Sequence, residues 1–326
     1  PTGGETFEDM SNYNLIFIMN LNSDIKITRD SQVVQHTSPL GRPGGARKKI
    51  AIVGVGLIGG SMALQLHEKK LSSKLIGVEE SRKHAEQALE YELVDEILPL
   101  DEAVQEADVI IMSVPVNVQV YLLPQVLDKI TDQVVIDLGS TKSDVITAVK
   151  NHPNRGRYVA THPMWGTEYS GPAAAVRGAF EGKVVIFCNR EDSDADAVAW
   201  AEKMYNKIGM RIVDMDANAH DLHVAYVSHI SHITSFALAN TVLEKEKVES
   251  AIFQIASAGF ESTVRLAKSN PAMWVPIFLQ NRDNILDVLT EHIDQLTRFK
   301  DYIANSDQEN LQALITDANK INRIIK

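Results

Sequence analysis

From Lys48 onward, short unbroken apolar runs alternate with stretches whose apolar residues recur every three to four positions. The runs read as strands: KKIAIVGVG (48–56), KLIGVE (74–79), DVIIMSVP (108–115), QVVIDLG (133–139) and RYVATHP (157–163). Hydrophobicity that is continuous rather than alternating means burial on both faces, as in a parallel sheet covered by helices. The stretches at 57–68, 81–91, 117–130 and 141–150 supply those helices. Two further runs, KVVIFCN (183–189) and RIVDMD (211–216), extend the sheet, with a helix ending near Gly209 between them. The pattern predicts an α/β fold, a doubly wound and mostly parallel sheet, over residues 48–216.

After Asp216 the strand signals stop. Residues 217–246 contain neither proline nor glycine, Asp216 is placed to cap their start, and apolar positions at 227, 230, 233, 237 and 242 keep a helical spacing. The remainder reads as further helices broken at Gly259, at Asn270-Pro271 and at Pro276, so 217–326 is expected to be an all-helical second domain. Residues 1–47 keep no period and end in the turn-rich SPLGRPGGARKK. They are expected to be a partly disordered extension without chemistry. Their longest apolar run, residues 15–19, is far short of the ~20 a membrane-spanning helix needs, and no membrane partner is expected.

GVGLIG follows the first strand and opens the first helix, giving Gly54, Gly56 and Gly59 the spacing G-x-G-x-x-G. In a strand–turn–helix context the first glycine allows a tight turn and the second lets a pyrophosphate approach the backbone. The third brings helix and strand close, and the helix start at Leu57 and Ile58 turns its amides toward the phosphates. The arrangement is the one expected of a Rossmann-type dinucleotide site. Glu79 ends the second strand, where it would accept from a ribose 2′-hydroxyl and repel a 2′-phosphate, favouring NAD over NADP; Arg82 and Lys83 weaken that preference. Ser113, Pro115 and Val116 end one strand and Ser140 and Thr141 another, and strand ends of this kind border the cofactor. The plainer alternatives are a glycine turn kept for packing and a Ser140-Thr141 pair that only caps a helix.

The formal net charge is −11, which argues against nucleic acid as a partner and requires local cations if the substrate is anionic. The one cysteine, Cys188, cannot form an internal disulfide, and a reducing, cytoplasmic setting is favoured.

His162 ends a strand in the same crevice, beside a glycine-bearing loop. A lone histidine is usually structural, but GVGLIGGS, SVPV, DLGSTK, THPMWGTEYSG, SHISH and GFESTVRLAKSNPAMW, in this order over 48 to about 290, resemble the prephenate dehydrogenase family. The resemblance implies NAD-dependent oxidative decarboxylation of prephenate to 4-hydroxyphenylpyruvate, or of arogenate to tyrosine. It makes His162 the base that takes the hydroxyl proton, a role suited to a neutral imidazole near pH 7. Ser140 becomes the serine that bonds the reacting hydroxyl and helps orient the histidine, and Arg265 the arginine that binds a carboxylate of the dicarboxylate substrate. His232 matches the second histidine of S-H-x-x-H. Thr167 and Glu168 are expected to face the substrate side chain, with Glu168 able to repel a pyruvyl group or pair with an amino group. Trp274 either lines the pocket or packs across the domain boundary. The family also implies a homodimer built on the helical domain.

Histidines at 220, 223, 229 and 232 raise the question of a metal. Residues 220 and 232 would lie about 18 Å apart on one helix at ~1.5 Å per residue. With no H-E-x-x-H pattern, no metal is expected, and His223 and His229 read as packing residues. Neither a fused chorismate mutase nor a C-terminal regulatory domain is expected, which puts feedback by tyrosine in doubt. Two alternatives stay open. A 3-hydroxy-acid dehydrogenase shares the architecture but usually places its base in the second domain. A non-catalytic NAD-binding sensor would need the glycine turn but not His162, Ser140 and Arg265 together.

Overall fold

In the computed structural model, which describes residues 25–28 and 47–324, nine strands form one sheet. They are β1 (Ile27–Thr28), β2 (Lys48–Val53), β3 (Ser72–Val78), β4 (Glu96–Ile97), β5 (Val109–Met112), β6 (Val134–Asp137), β7 (Tyr158–Pro163), β8 (Val184–Cys188) and β9 (Arg211–Met215). Their order is β1-β4-β3-β2-β5-β6-β7-β8-β9. All neighbours are parallel except the pairs β1–β4 and β7–β8. The chain winds outward from β2 through β3, then crosses back to β5. The switch therefore lies between β2 and β5, where a parallel sheet opens its ligand crevice beyond the strand C-termini.

Alternation along each strand sends side chains to two separate cores. Ile50, Ile52, Val109, Ile111 and Ile136 pack on one face. It is covered by α1 (Leu57–Glu68), α2 (Arg82–Glu90) and α6 (Ala195–Ile208). Ala51, Val53, Ile110, Met112 and Val135 pack on the other, under α3 (Leu100–Glu106), α4 (Val116–Lys129) and α5 (Ser143–Val149). Residues buried on both sides of the sheet explain why these strands read as continuous apolar runs.

Beyond β9 the chain is helical: α7 (Ala217–Val224), a π-turn (Ala225–His229), α8 (Ile230–Glu246), α9 (Ala258–Val264), α10 (Pro271–Gln280), α11 (Arg282–Ala304) and α12 (Gln308–Ala318). Asp216 caps α7 through its side chain, accepting from the amides of Asn218 and Ala219. One expectation needs correction. Pro276 lies inside α10 instead of ending it. The helix survives the lost hydrogen bond because Asn270 caps its start and Trp274 and Ile277 are buried. Within residues 1–47, Ile27–Thr28 adds an edge strand against β4. The rest of that extension, 1–24 and 29–46, lies outside the described residues.

The helical part docks on the strand C-termini through apolar and polar contacts. Val116 at the start of α4 packs with Trp274 and Ile277 of α10. Thr141 Oγ1 hydrogen-bonds Gln280 Oε1 at 2.7 Å. The Asp221 carboxylate accepts the amides of Lys142 at 2.9 Å and Ser143 at 2.8 Å, capping from α7 a helix whose own first residues offer no side-chain cap.

Candidate active site

The glycine turn is built as its spacing requires. Gly54 has φ +90°, and a Cβ there would lie 2.5 Å from the Ser113 carbonyl oxygen. A Cβ on Gly59 would lie 2.0 Å from the Gly54 oxygen. Gly56 differs, with nothing within 4 Å of its would-be Cβ. Its backbone faces open space, and α1 starts there with no side-chain cap. Free amides at a helix N-terminus above an open glycine fit a dinucleotide pyrophosphate. Beside this turn, Glu79 accepts the Val55 amide at 3.1 Å and the Ser81 amide at 3.2 Å. Its carboxylate is thus held beside the turn, while the nearby Arg82 is engaged by Glu86 at 3.0 Å. Ser113 and Val114 back the glycine turn; Pro115 precedes α4, and Val116 is absorbed by the domain contact.

His162 is the half-buried position in an otherwise buried β7. Below it, Lys142 and Asp137 form a fully buried ion pair, and Asp137 also accepts the Thr161 amide at 2.9 Å. The His162 ring is held from the helical side: its Nδ1 lies 2.8 Å from His220 Nε2. His220 Nδ1 in turn lies 2.7 Å from Asp221 Oδ1. Burial, with His220, Lys142 and His229 around the ring, holds His162 well below the ordinary imidazole pKa. It is therefore neutral near pH 7, as a general base must be. Burial alone would raise the Asp221 carboxyl, but hydrogen bonds from His220 and Ser143 bring it below its ordinary value. Ser140 is half-buried and hydrogen-bonds no described residue, and the described hydrogen-bond partner of the His162 ring is His220.

The substrate-side residues form a second group. His232 stacks on Trp274, with ring centroids 3.5 Å apart, and its Nδ1 donates to the Ser228 carbonyl at 3.0 Å. Burial lowers the His232 pKa, and the charge of nearby Arg265 adds to this. Trp274 packs across the domain boundary, and its buried Nε1–H has no hydrogen-bond partner among the described residues. Arg265 reaches back over the boundary to Glu168 at 2.7 Å. Ser235 pins the Arg265 segment on α8, its Oγ donating to the Thr263 carbonyl and accepting the Ala267 amide. Glu168, Tyr169 and Ser170 line an open cleft with Lys268 and Asn270, and Thr167 Oγ1 accepts the Tyr169 amide at 3.2 Å.

Comparison with known proteins gives the family of both parts of the chain. Residues 62–214 match a family model described as the prephenate dehydrogenase nucleotide-binding domain, and residues 216–317 match the prephenate dehydrogenase dimerization domain. The chain belongs to the prephenate dehydrogenase family. A prephenate dehydrogenase of Bacillus subtilis is 31% identical over 266 residues, 80% of this chain and 72% of that one. A cyclohexadienyl dehydrogenase of Zymomonas mobilis is 29% identical, covering 86% of this chain and 96% of that one. Among solved structures, a prephenate dehydrogenase from Aquifex aeolicus in complex with hydroxyphenyl propionate and NAD+ superimposes with a TM-score of 0.77. It is 26% identical and covers 86% of this chain and 99% of that one.

Membership of the prephenate dehydrogenase family makes the chain an NAD-dependent oxidoreductase. The matched span begins at Met62, after the glycine turn, so that turn rests on its own geometry. Among the described residues no three potential ligands cluster as a metal site would require. No described helix is long and apolar enough to cross a membrane. Reading the sequence missed His220, which had been grouped with three other histidines and given no role. Its adjacency to Asp221 was the available signal, since a carboxylate next to an imidazole commonly fixes its tautomer. His229, read as a packing residue, is buried and accepts from Asn281 Nδ2 at 3.1 Å. The exposed His223 places its Nδ1 3.3 Å from the Met215 sulfur.

Proposed function

We propose that this protein catalyses NAD-dependent oxidative decarboxylation of prephenate to 4-hydroxyphenylpyruvate, with His162 as the base. The observation that carries the reading is a neutral histidine at the end of β7, in the crevice that the uncapped glycine turn opens. Bound NAD would accept a hydride from the ring carbon bearing the hydroxyl. Gly54, Gly56, Leu57, Ile58 and Gly59 would hold its pyrophosphate and Glu79 its ribose, with Ser113, Pro115, Ser140 and Thr141 along the strand ends.

His162 takes the hydroxyl proton as that carbon becomes a carbonyl. The carbon–carbon bond to the ring carboxylate then breaks, carbon dioxide leaves, and the electron pair aromatises the ring to a phenolate that is reprotonated. Ser140 Oγ, which hydrogen-bonds no described residue, would bond the reacting oxygen. Arg265 would take a carboxylate through its guanidinium fork, an interaction a net charge of −11 makes necessary at short range. His232 and Trp274 would wall the ring.

One observation favours a second substrate. Glu168, ion-paired with Arg265, offers a carboxylate where the side chain of arogenate would bring an ammonium group, and a structural relative from Synechocystis is an arogenate dehydrogenase at 25% identity and a TM-score of 0.68. NADH absorbance with prephenate, arogenate and a 3-hydroxy acid in turn tests both readings. Turnover of prephenate is expected, and turnover of the 3-hydroxy acid alone would overturn the proposal.

The helical domain would pair two chains. Supporting this, Leu286, Ile293, Leu296 and Ile303 of α11 are 47%, 53%, 55% and 63% exposed. Such an apolar row on one helix is unusual for a monomer.

A further inference from the structure

Asp221 fixes the direction of every hydrogen bond in the chain that leads to His162. Its carboxylate is held below the ordinary range, so it is ionised and can only accept. It accepts the amides of Lys142 and Ser143, and at 2.7 Å it must also accept the proton on His220 Nδ1. When His220 is uncharged its ring carries one N–H, already given to Asp221, so its Nε2 then bears a lone pair. That lone pair faces His162 Nδ1 at 2.8 Å, and the hydrogen bond between them requires the proton on His162 Nδ1. Only one nitrogen of His162 is then left with a lone pair, Nε2. It bonds no described residue and is not sealed in the interior.

We propose that His220, backed by Asp221, acts as a positioning residue that locks His162 in the Nδ1–H tautomer and leaves Nε2 as the proton acceptor. The inference rests on the reading of His162 as the base. It adds which nitrogen acts and what makes that nitrogen available. Free imidazole in water favours the opposite tautomer, with the proton on Nε2, so without His220 the ring would spend most of its time in the inactive form. The chain His162–His220–Asp221 also lets the Asp221 charge stabilise the imidazolium that forms when Nε2 takes the proton. Asp221 itself need not move a proton, just as the aspartate of a Ser-His-Asp triad orients its histidine without becoming protonated.

The geometry separates this role from simple packing. His220 is 0% exposed on α7, and its ring meets His162 edge to face at 71°, with centroids 5.0 Å apart. An apolar ring could fill that space but would leave the Nδ1–H of His162 with no acceptor. The groups facing His162 from the surrounding elements are His220, the His229 of the π-turn and the Lys142 that follows β6. Two of these cannot supply the acceptor. Lys142 is a cation paired with Asp137, and the Nδ1 lone pair of His229 is taken by Asn281.

The test uses two variants and two readouts on the full chain. Nitrogen NMR of isotope-labelled histidine, with His162→Asn identifying the His162 signals, is expected to find the Nδ1–H tautomer in the wild type. In His220→Leu the same signals should shift to mainly Nε2–H. Steady-state kinetics should show kcat of His220→Leu lower by about tenfold or more, in the direction of the ~10⁴ loss when a triad histidine loses the aspartate that fixes its tautomer. KM and the Kd for NAD should change less than twofold. His220→Gln, whose amide oxygen can still accept from Nδ1, should recover part of kcat, and thermal melting checks that both variants fold. An Nε2–H tautomer in the wild type, or unchanged kcat in His220→Leu, would overturn the proposal. A wild type that turns over neither prephenate nor arogenate would instead defeat the functional reading, and the NMR arm would still decide the tautomer.

Discussion

Arg265 is the residue whose environment says most about how an acidic protein holds a dianion. Its guanidinium is half-exposed and already paired with Glu168 at 2.7 Å, so an incoming carboxylate must share or displace that partner. A charge-assisted hydrogen bond contributes roughly 1.5–3 kcal/mol, which is about one to two decades of affinity. Arg265→Ala should therefore raise KM for the dicarboxylate about tenfold or more and leave the Kd for NAD unchanged. Arg265→Lys should recover only part, because the ammonium keeps the charge and loses the fork. Steady-state kinetics with a separate NAD titration check this, and equal damage to NAD binding would place Arg265 in the fold instead. His162, Arg265 and the three glycines were nameable from the sequence as candidates because each stands in a local motif. His220 was not, because its partner lies 58 residues away on another element and only docking of α7 brings the two together. The pairing of Glu168 with Arg265, 97 residues apart, was hidden for the same reason.

Two elements, the glycine turn and the π-turn, show how backbone geometry serves the site. At Gly56 an added methyl would meet nothing, whereas at Gly59 it would strike the Gly54 carbonyl. Gly56→Ala should keep the wild-type melting temperature yet weaken NAD binding, and Gly59→Ala should lower the melting temperature. Calorimetry with and without NAD distinguishes them, and a Gly56→Ala variant with normal NAD affinity would remove the turn from the cofactor site. The π-turn at Ala225–His229 was invisible in the apolar spacing, which reads the same through a single widened turn. On a regular helix, nine residues at 3.6 per turn would put His220 and His229 about half a turn apart. The wider turn brings His229 round to Asn281, which also donates to the Asp221 carbonyl. Burial pushes His229 down to about 4 from 6.5. The unfolded chain thus binds the proton first as pH falls, so this contribution to stability is complete above about 6.5 and is lost toward about 4. Melting temperature should fall less steeply over that window in His229→Gln than in the wild type, and parallel curves would contradict the assignment.

For the whole molecule, sheet and helices share one site because the crevice beyond the strand ends is closed by the helical part. The alternation of apolar runs with helical stretches and the all-helical end were readable from the sequence, whereas the strand order that puts the switch between β2 and β5 was not. The first two follow from hydrophobic period alone. The edge strand Ile27–Thr28 was not readable either, since two residues carry no period. The apolar row on α11 predicts a mass near twice 36.1 kDa in light scattering, and Leu296→Glu should reduce it to that of one chain. A wild-type mass of 36.1 kDa would remove the dimer. The most direct test of the account is the pH dependence of NADH formation from prephenate in the wild type and in His162→Asn. With His162 held well below the ordinary imidazole value, the wild-type rate should stay level through pH 7 and fall only in acid. His162→Asn should run about 10²–10⁴ slower, the range for loss of a general base, without that acid limb. A His162→Asn variant that turns over prephenate at the wild-type rate, with the same acid limb, would contradict it.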